Sequence, residues 1–119
     1  MVIVDTSVWV GHLRSGNPRL ASLLDQGEVV CHPAVIGELA CGNLPRREET
    51  LRLFNDLPQA VVAGHDETMR FIESESLMGK GLGYVDVHLL ASALLTGASL
   101  WTLDQPLRKA ARKLAVAFP

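Results

Sequence analysis

Four acidic residues occupy positions where a small α/β domain gains little stability from a charge. Asp5, Glu38, Asp86 and Asp104 each interrupt or end an apolar stretch of the sequence. A carboxylate at the edge of a hydrophobic core is costly unless it is hydrogen-bonded, paired with a cation or bound to a metal ion. We therefore predict that these four side chains meet around a divalent cation.

A group of carboxylates without histidine or cysteine ligands indicates a particular metal chemistry. Clustered carboxylates raise one another's pKa values unless a cation neutralises them, and hard oxygen ligands favour Mg²⁺ or Mn²⁺ over zinc. These ions keep bound water, lower its pKa and bind phosphate oxygens. The pattern therefore indicates chemistry on phosphodiester bonds.

Each acid also has an ordinary structural explanation, and the sequence leaves these alternatives open. Asp5 and Asp104 follow apolar strands and precede helices, a position where aspartate is a favoured N-cap. Asp86 lies in the first turn of an apolar helix, where the helix dipole favours a carboxylate. Glu38 could be a surface residue, although Leu39 and other apolar neighbours flank it.

Length and composition restrict the class of protein. A chain of 119 residues predicts one domain, and its net charge of −2 gives no sign by itself of a nucleic-acid binder or of a membrane binder. The N-terminal residues lack the pattern of a signal peptide, and the apolar stretch near Val87 is too short to span a bilayer. We expect a cytoplasmic protein with two reduced cysteines.

Apolar strands alternate with amphipathic helices along the sequence. This order predicts a three-layer α/β/α domain with a central parallel sheet of four to five strands. If the first and fourth strands are adjacent, Asp5 and Asp104 lie together at the carboxyl ends of the strands, where such sheets bind ligands. We expect the strands at Val2–Val4, Glu28–Cys31, Gln59–Ala63, Ser99–Leu103 and Ala115–Phe118.

The four acids lie in motifs that together closely resemble the PIN-domain family. The motifs are Val-Ile-Val-Asp5-Thr6-Ser7, Gly-Glu38-Leu, Gly-Tyr-Val-Asp86 and Trp-Thr102-Leu-Asp104. The resemblance covers essentially the whole chain and implies that residues 1–119 form a single PIN domain. Length and the Gly-Tyr-Val-Asp motif are most similar to VapC-type toxins of bacterial or archaeal toxin–antitoxin pairs.

The resemblance implies a fold, an activity and a partner. It implies a flavodoxin-like sheet, Mg²⁺- or Mn²⁺-dependent cleavage of RNA, and a VapB-like antitoxin that blocks the site. Asp5, Glu38, Asp86 and Asp104 match the acidic positions that bind metal and catalyse. Thr6, Ser7 and Thr102 match the neighbouring hydroxyl positions, whose hydrogen bonds would orient the carboxylates.

Basic residues and an apolar surface are candidate contacts for RNA and for the antitoxin. The spacing of Arg108, Lys109, Arg112 and Lys113 places them on one face of a helix, which is either simply solvated or holds RNA near the acids. Lys80, in a glycine-rich loop, could contact a backbone phosphate. We expect an apolar antitoxin segment to cover residues such as Trp9 and Leu13, and we expect a homodimer or a higher toxin–antitoxin assembly.

Two other functions are compatible with this fold, that of a phosphotransfer protein and that of a non-catalytic interaction domain. A haloacid-type phosphatase requires an acid two residues after the first aspartate, where Ser7 stands, and a receiver requires an additional acid and a late lysine that are not evident. A non-catalytic interaction domain is the other alternative, and the presence of four acids disfavours it.

Overall fold

The computed structural model describes every residue from Met1 to Pro119 as an α/β fold with a parallel sheet. Two helices separate the first strand from the second, four separate the second from the third, and one helix follows the third strand. The elements are β1 (Val2–Val4), α1 (Thr6–Ser15), α2 (Pro18–Asp25), β2 (Val29–Val30), α3 (Pro33–Ala40), α4 (Arg47–Asp56), α5 (His65–Ser74), α6 (Tyr84–Thr96), β3 (Ser99–Trp101) and α7 (Gln105–Lys113).

Strand β1 is the centre of the sheet. The strand order is β2-β1-β3, and β1 pairs with both neighbours in parallel. Its three residues are all buried, because a continuous β-branched run can pack on both faces of a parallel sheet. If both crossover connections are right-handed, the helices between β1 and β2 and those between β2 and β3 lie on opposite faces of the sheet. The three-layer arrangement rests on this rule and stays a prediction.

The prediction of four to five strands is wrong, because the sheet has three. Of the two missing strands, the structure retains only single bridges, from Gln59 to Cys31 and from Ala117 to Leu100. Beyond Gln59 the ladder ends because the Val61 amide donates to the Thr96 hydroxyl at 3.0 Å instead of to a strand. The apolar run after Gln59 therefore does not pair as a strand beside the short β2.

The core holds the site-bearing segments in place. Ile3 of β1 and Leu89 and Leu90 of α6 are fully buried in one hydrophobic cluster, and Leu107 joins them from α7. Burying a side chain of this kind stabilises the fold by about 1.5–3 kcal/mol. Leu39 of α3, next to Glu38, belongs to the same cluster, so the elements that carry the four acids are anchored to one another through this core.

The pairing of β1 with β3 decides where the first and last acids lie. Val4 is in register with Trp101, and the Asp5 amide donates to the Trp101 carbonyl oxygen at 2.9 Å. The first and last strands are adjacent, as the sequence argument required, so Asp5 and Asp104 follow neighbouring strands at the same edge of the sheet.

None of the helices is long and apolar enough to cross a membrane.

Candidate active site

Asp5 is the most constrained of the four carboxylates. It lies at the carboxyl end of β1, caps α1 and is only 7 % exposed. Its Oδ1 accepts from the Thr6 amide at 2.8 Å, while its Oδ2 accepts from Ser7 Oγ at 3.0 Å and from Thr102 Oγ1 at 2.7 Å. These bonds compensate for the cost of burying a charge and hold the carboxylate in one orientation.

The hydroxyl of Thr102 connects Asp5 to Asp104. Thr102 Oγ1 donates to Asp5 and accepts from the Asp104 amide at 3.1 Å. Asp104 caps α7, where its Oδ2 accepts from the Leu107 amide at 3.0 Å. Ser7 supports the same turn, because its Oγ accepts from the Leu103 amide at 3.1 Å. The hydroxyl residues predicted beside the first and last acids therefore hold the two aspartates together.

Glu38 projects from α3 toward the same edge of the sheet. Its side chain is exposed, yet Oε1 accepts from Thr6 Oγ1 at 2.7 Å. Thr6 also donates its backbone amide to Asp5, so one residue contacts both acids. The surface explanation for Glu38 is correct about its exposure, but the side chain faces the site rather than bulk solvent alone.

Asp86 lies in the first turn of α6. Its Oδ2 accepts from the Gly83 amide at 2.9 Å, closing the first turn of the helix. Burial raises the pKa of Asp86, and the charges of Asp5, Asp104 and Glu38 raise it further, against the lowering effect of the Gly83 hydrogen bond. Asp86 therefore lies within electrostatic reach of the other three carboxylates.

The capping explanation and the metal explanation are compatible in this structure. Asp5, Asp86 and Asp104 each serve a helix N-terminus, as ordinary capping residues do. Capping nevertheless uses only Oδ2 of Asp86 and of Asp104, and Glu38 accepts only through Oε1. Each of these three side chains keeps one oxygen that accepts no protein hydrogen bond.

The donor set fits a hard divalent cation, although it is not closed around one. None of the four acids forms an ion pair with lysine or arginine. As the side chains stand, no three acidic, histidine or cysteine residues are close enough to hold a metal ion together. To bind a cation, the side chains of Glu38, Asp86 and Asp104, each of which has a free oxygen, would therefore have to move closer together. The cation would favour this movement because it neutralises the repulsion between the carboxylates.

A groove beside Glu38 was not predicted from the sequence. It has a volume of about 460 Å³ and runs past the apolar side chains of Val10, Leu13 and Leu44, with Arg14 at its side. Trp9 does not contribute to it, because Trp9 is 3 % exposed and packs edge-on against Phe54 at a ring-centroid distance of 4.7 Å. The expectation that Trp9 offers a partner surface is wrong.

The basic residues predicted on one helical face divide into two groups. Lys109 and Lys113 line a cavity with Lys80, whereas Arg108 and Arg112 lie outside its lining. Neighbouring residues on a helix point about 100° apart, so two i, i+4 pairs offset by one residue need not share surroundings. The sequence showed the charges but not this separation.

Comparison with known proteins agrees with these features. A family model described as PIN domain matches residues 2–113 of the chain. The chain belongs to the PIN-domain family. It is also 48 % identical over 119 residues to proteins named Ribonuclease VapC32 from two strains of Mycobacterium tuberculosis, covering 99 % of this chain and 96 % of each relative. The sequence-based expectation of a VapC-type PIN domain is confirmed.

A solved structure supports the fold independently of close sequence similarity. The crystal structure of PAE2754 from Pyrobaculum aerophilum superposes with a TM-score of 0.61, covering 97 % of this chain and 86 % of that chain. At 16 % identity the similarity concerns the fold alone.

Proposed function

We propose that this PIN-domain protein is a metal-dependent endoribonuclease that acts as the toxin of a type II toxin–antitoxin pair. The observation that carries the proposal is the linkage of Asp5 to Asp104 through Thr102, with Asp86 within electrostatic reach of both. The 48 % identity to proteins named Ribonuclease VapC32 supports RNA as the substrate.

Mg²⁺ or Mn²⁺ is the cation that this set of oxygen ligands favours, with Asp5, Glu38, Asp86 and Asp104 as ligands. When bound, such an ion would neutralise the carboxylates and supply a water of lowered pKa for attack on a phosphodiester bond. The chain itself holds Asp5 rigid through Ser7 and Thr102 and orients Glu38 through Thr6. This preorganisation reduces the cost of assembling the site when RNA arrives.

The geometry disfavours a phosphotransfer protein on the same fold. In such a protein the aspartate after the first strand would act as the nucleophile and carry the phosphoryl group. Here both carboxylate oxygens of Asp5 accept hydrogen bonds, and the side chain is only 7 % exposed. A residue held in this way is better suited to orient a ligand than to attack one.

A VapB-like antitoxin is the partner that this proposal requires. We propose that an apolar segment of it lies in the groove formed by Val10, Leu13 and Leu44 and that a basic side chain reaches Glu38 at the end of that groove. A guanidinium group suits this role because it binds carboxylates through two parallel hydrogen bonds and stays charged. The groove therefore connects an apolar docking surface to the acidic site.

The proposal includes a cytoplasmic location, where RNA is available.

The proposal also includes self-association of the chain. Leu94 and Leu95 near the end of α6 are 45 % and 47 % exposed, and Val61, whose amide is hydrogen-bonded to Thr96, adds a third exposed apolar side chain. Contiguous exposed apolar side chains are typical of protein interfaces. This surface is a candidate for a homodimer contact within a larger toxin–antitoxin assembly.

Controlled expression in a bacterial host tests the toxin proposal. We expect the wild-type chain alone to arrest growth, and we expect Asp5→Asn to relieve the arrest at equal protein level. Asp66→Asn is the matched control, because Asp66 is an exposed carboxylate on α5 and is not one of the four proposed ligands. Co-expression with the neighbouring small reading frame should restore growth and yield a complex that co-purifies. Harmless accumulation of the wild-type chain in its own host would contradict the toxin role.

A further inference from the structure

All three lysines of this chain line one cavity. Lys80, Lys109 and Lys113 are the only lysines in the sequence, and they surround a cavity of about 540 Å³ with Leu77 and Ala110 among its apolar walls. Lys109 and Lys113 lie one turn apart on α7, whereas Lys80 precedes α6 and is distant from them in the sequence. The convergence is therefore a product of the fold.

Two glycines shape the loop that brings Lys80 to α7. Gly79 and Gly81 flank Lys80 and have φ values of +69° and +76°, a conformation that other residues rarely adopt. A Cβ at Gly81 would lie 3.5 Å from the Cβ of Pro106, so the loop packs directly on the first turn of α7. The loop conformation holds Lys80 beside Lys109 and Lys113.

None of the three lysine ammonium groups is paired with a carboxylate. No carboxylate lies within ion-pair distance of any of them, although Glu75 is at the rim of the cavity. The pKa of Lys80 lies below its usual range, chiefly because of the nearby charge of Lys113 and, to a smaller extent, that of Lys109. The free protein therefore bears a like-charge repulsion that a bound anion would relieve.

The cavity also lies beside the acidic site. α7 begins directly after Asp104, and Pro106 belongs to the cavity wall. At a rise of 1.5 Å per residue, Lys109 and Lys113 lie about 7.5 and 13.5 Å along the helix axis from Asp104. A short length of single-stranded RNA could reach from one site to the other.

We propose that the cavity formed by Lys80, Lys109 and Lys113 is a binding site for a backbone phosphate of the RNA, next to the phosphate that is cleaved. The ammonium groups compensate for the repulsion between the RNA backbone and the four carboxylates. Arg108 and Arg112 lie outside the cavity and are not part of this site. The proposal rests on the ribonuclease function proposed above and adds the position at which the substrate is held.

Binding of a short single-stranded RNA to the Asp5→Asn protein tests this site without cleavage. The test variant carries Lys80→Gln, Lys109→Gln and Lys113→Gln. The matched control carries Arg46→Gln, Arg52→Gln and Arg70→Gln, which removes the same charge from three exposed arginines elsewhere. A third variant with arginine at the three lysine positions retains the charge, and melting temperatures show that each variant is folded.

We expect the lysine variant to bind RNA at least about tenfold more weakly than the arginine control. The plot of log K against log salt should flatten by roughly 0.7 for each phosphate that the protein no longer neutralises, and the variant with three new arginines should keep most of the slope. Equal affinity and equal slope in the lysine variant and in the arginine control would overturn the site.

Amine acylation distinguishes RNA from free phosphate, because the chain has no lysine outside the cavity. RNA should protect the three lysines, and inorganic phosphate at the same phosphate concentration should protect them much less. Equal protection by inorganic phosphate would overturn the assignment to RNA. Neither measurement needs cleavage, so both remain decisive if the chain proves not to cut RNA. Conversely, a chain that cuts RNA but keeps its affinity without the lysines rejects only the cavity.

Discussion

The hydroxyl of Thr102 donates to Asp5 Oδ2 at 2.7 Å, and the two residues are 97 positions apart in the chain. The bond is buried and joins the ends of the adjacent strands β1 and β3. Since the same oxygen of Thr102 accepts from the Asp104 amide, one hydroxyl fixes the relative positions of two proposed metal ligands. Much of the site's geometry therefore depends on a residue that need not contact the metal or the RNA.

Replacing Thr102 with valine should damage both stability and catalysis. The change keeps the shape of the side chain but leaves the Asp104 amide without its acceptor and removes one donor from buried Asp5. Loss of such partners costs about 1–3 kcal/mol of unfolding free energy. Denaturant unfolding and RNA cleavage rates measure the two effects. Thr102→Ser keeps the hydroxyl and should stay near wild type, so equal losses in both variants would contradict this role.

Replacing Asp86 with asparagine should leave the metal-free protein as stable as wild type at neutral pH, or more stable. The folded-state pKa of Asp86 is raised, chiefly by burial. In the wild type, the protonated form of Asp86 favours the folded state. Its contribution to the unfolding free energy is fully present below the pKa of the unfolded chain and is lost as pH rises through the higher pKa of the folded protein. Asparagine can still accept from the Gly83 amide, so the helix cap is kept.

The measurement for Asp86→Asn is unfolding free energy in EDTA from about pH 3 to pH 7. The advantage of the variant over wild type should grow as pH rises across this range. A variant that is clearly less stable than wild type at neutral pH would show that the charge of Asp86 is not repelled by its neighbours.

Added Mn²⁺ or Mg²⁺ should raise the melting temperature of protein that has been stripped with EDTA. A ligand that binds only the folded state stabilises it by about 2.7 kcal/mol at a hundredfold excess over its dissociation constant. Asp86→Asn should reduce the shift, and Asp66→Asn, an exposed acid on α5, should not change it. A melting temperature that does not change in millimolar Mn²⁺ or Mg²⁺ would count against a metal site formed by these four acids.

The sequence predicted the positions of the first and last acids better than it predicted the sheet. Asp5 and Asp104 were placed correctly because a parallel strand followed by a helix puts its next residue at the binding edge. The strand expected at Gln59–Ala63 failed, because an apolar run does not show whether a neighbouring strand is long enough to pair with it. Pairing is a tertiary property, and local pattern does not contain it.

The surfaces show the same limit. Trp9 and Leu13 looked alike as apolar residues of one helix, but only Leu13 lines the groove, because Trp9 packs against Phe54. The sequence also did not predict that Lys80 lies beside Lys109 and Lys113, because this arrangement depends on a loop that packs on the start of α7. Long-range packing decides which residues of a helix remain available to a partner.

Metal-dependent cleavage of single-stranded RNA by the purified chain tests the central claim most directly. Wild-type protein should cut RNA when Mg²⁺ or Mn²⁺ is added and should stop when EDTA is added. Asp5→Asn should be folded by its melting curve yet lose at least about a hundredfold in rate, because one ligand charge and its fixed geometry are gone. Cleavage by Asp5→Asn at the wild-type rate, or metal-independent cleavage by wild type, would contradict the account.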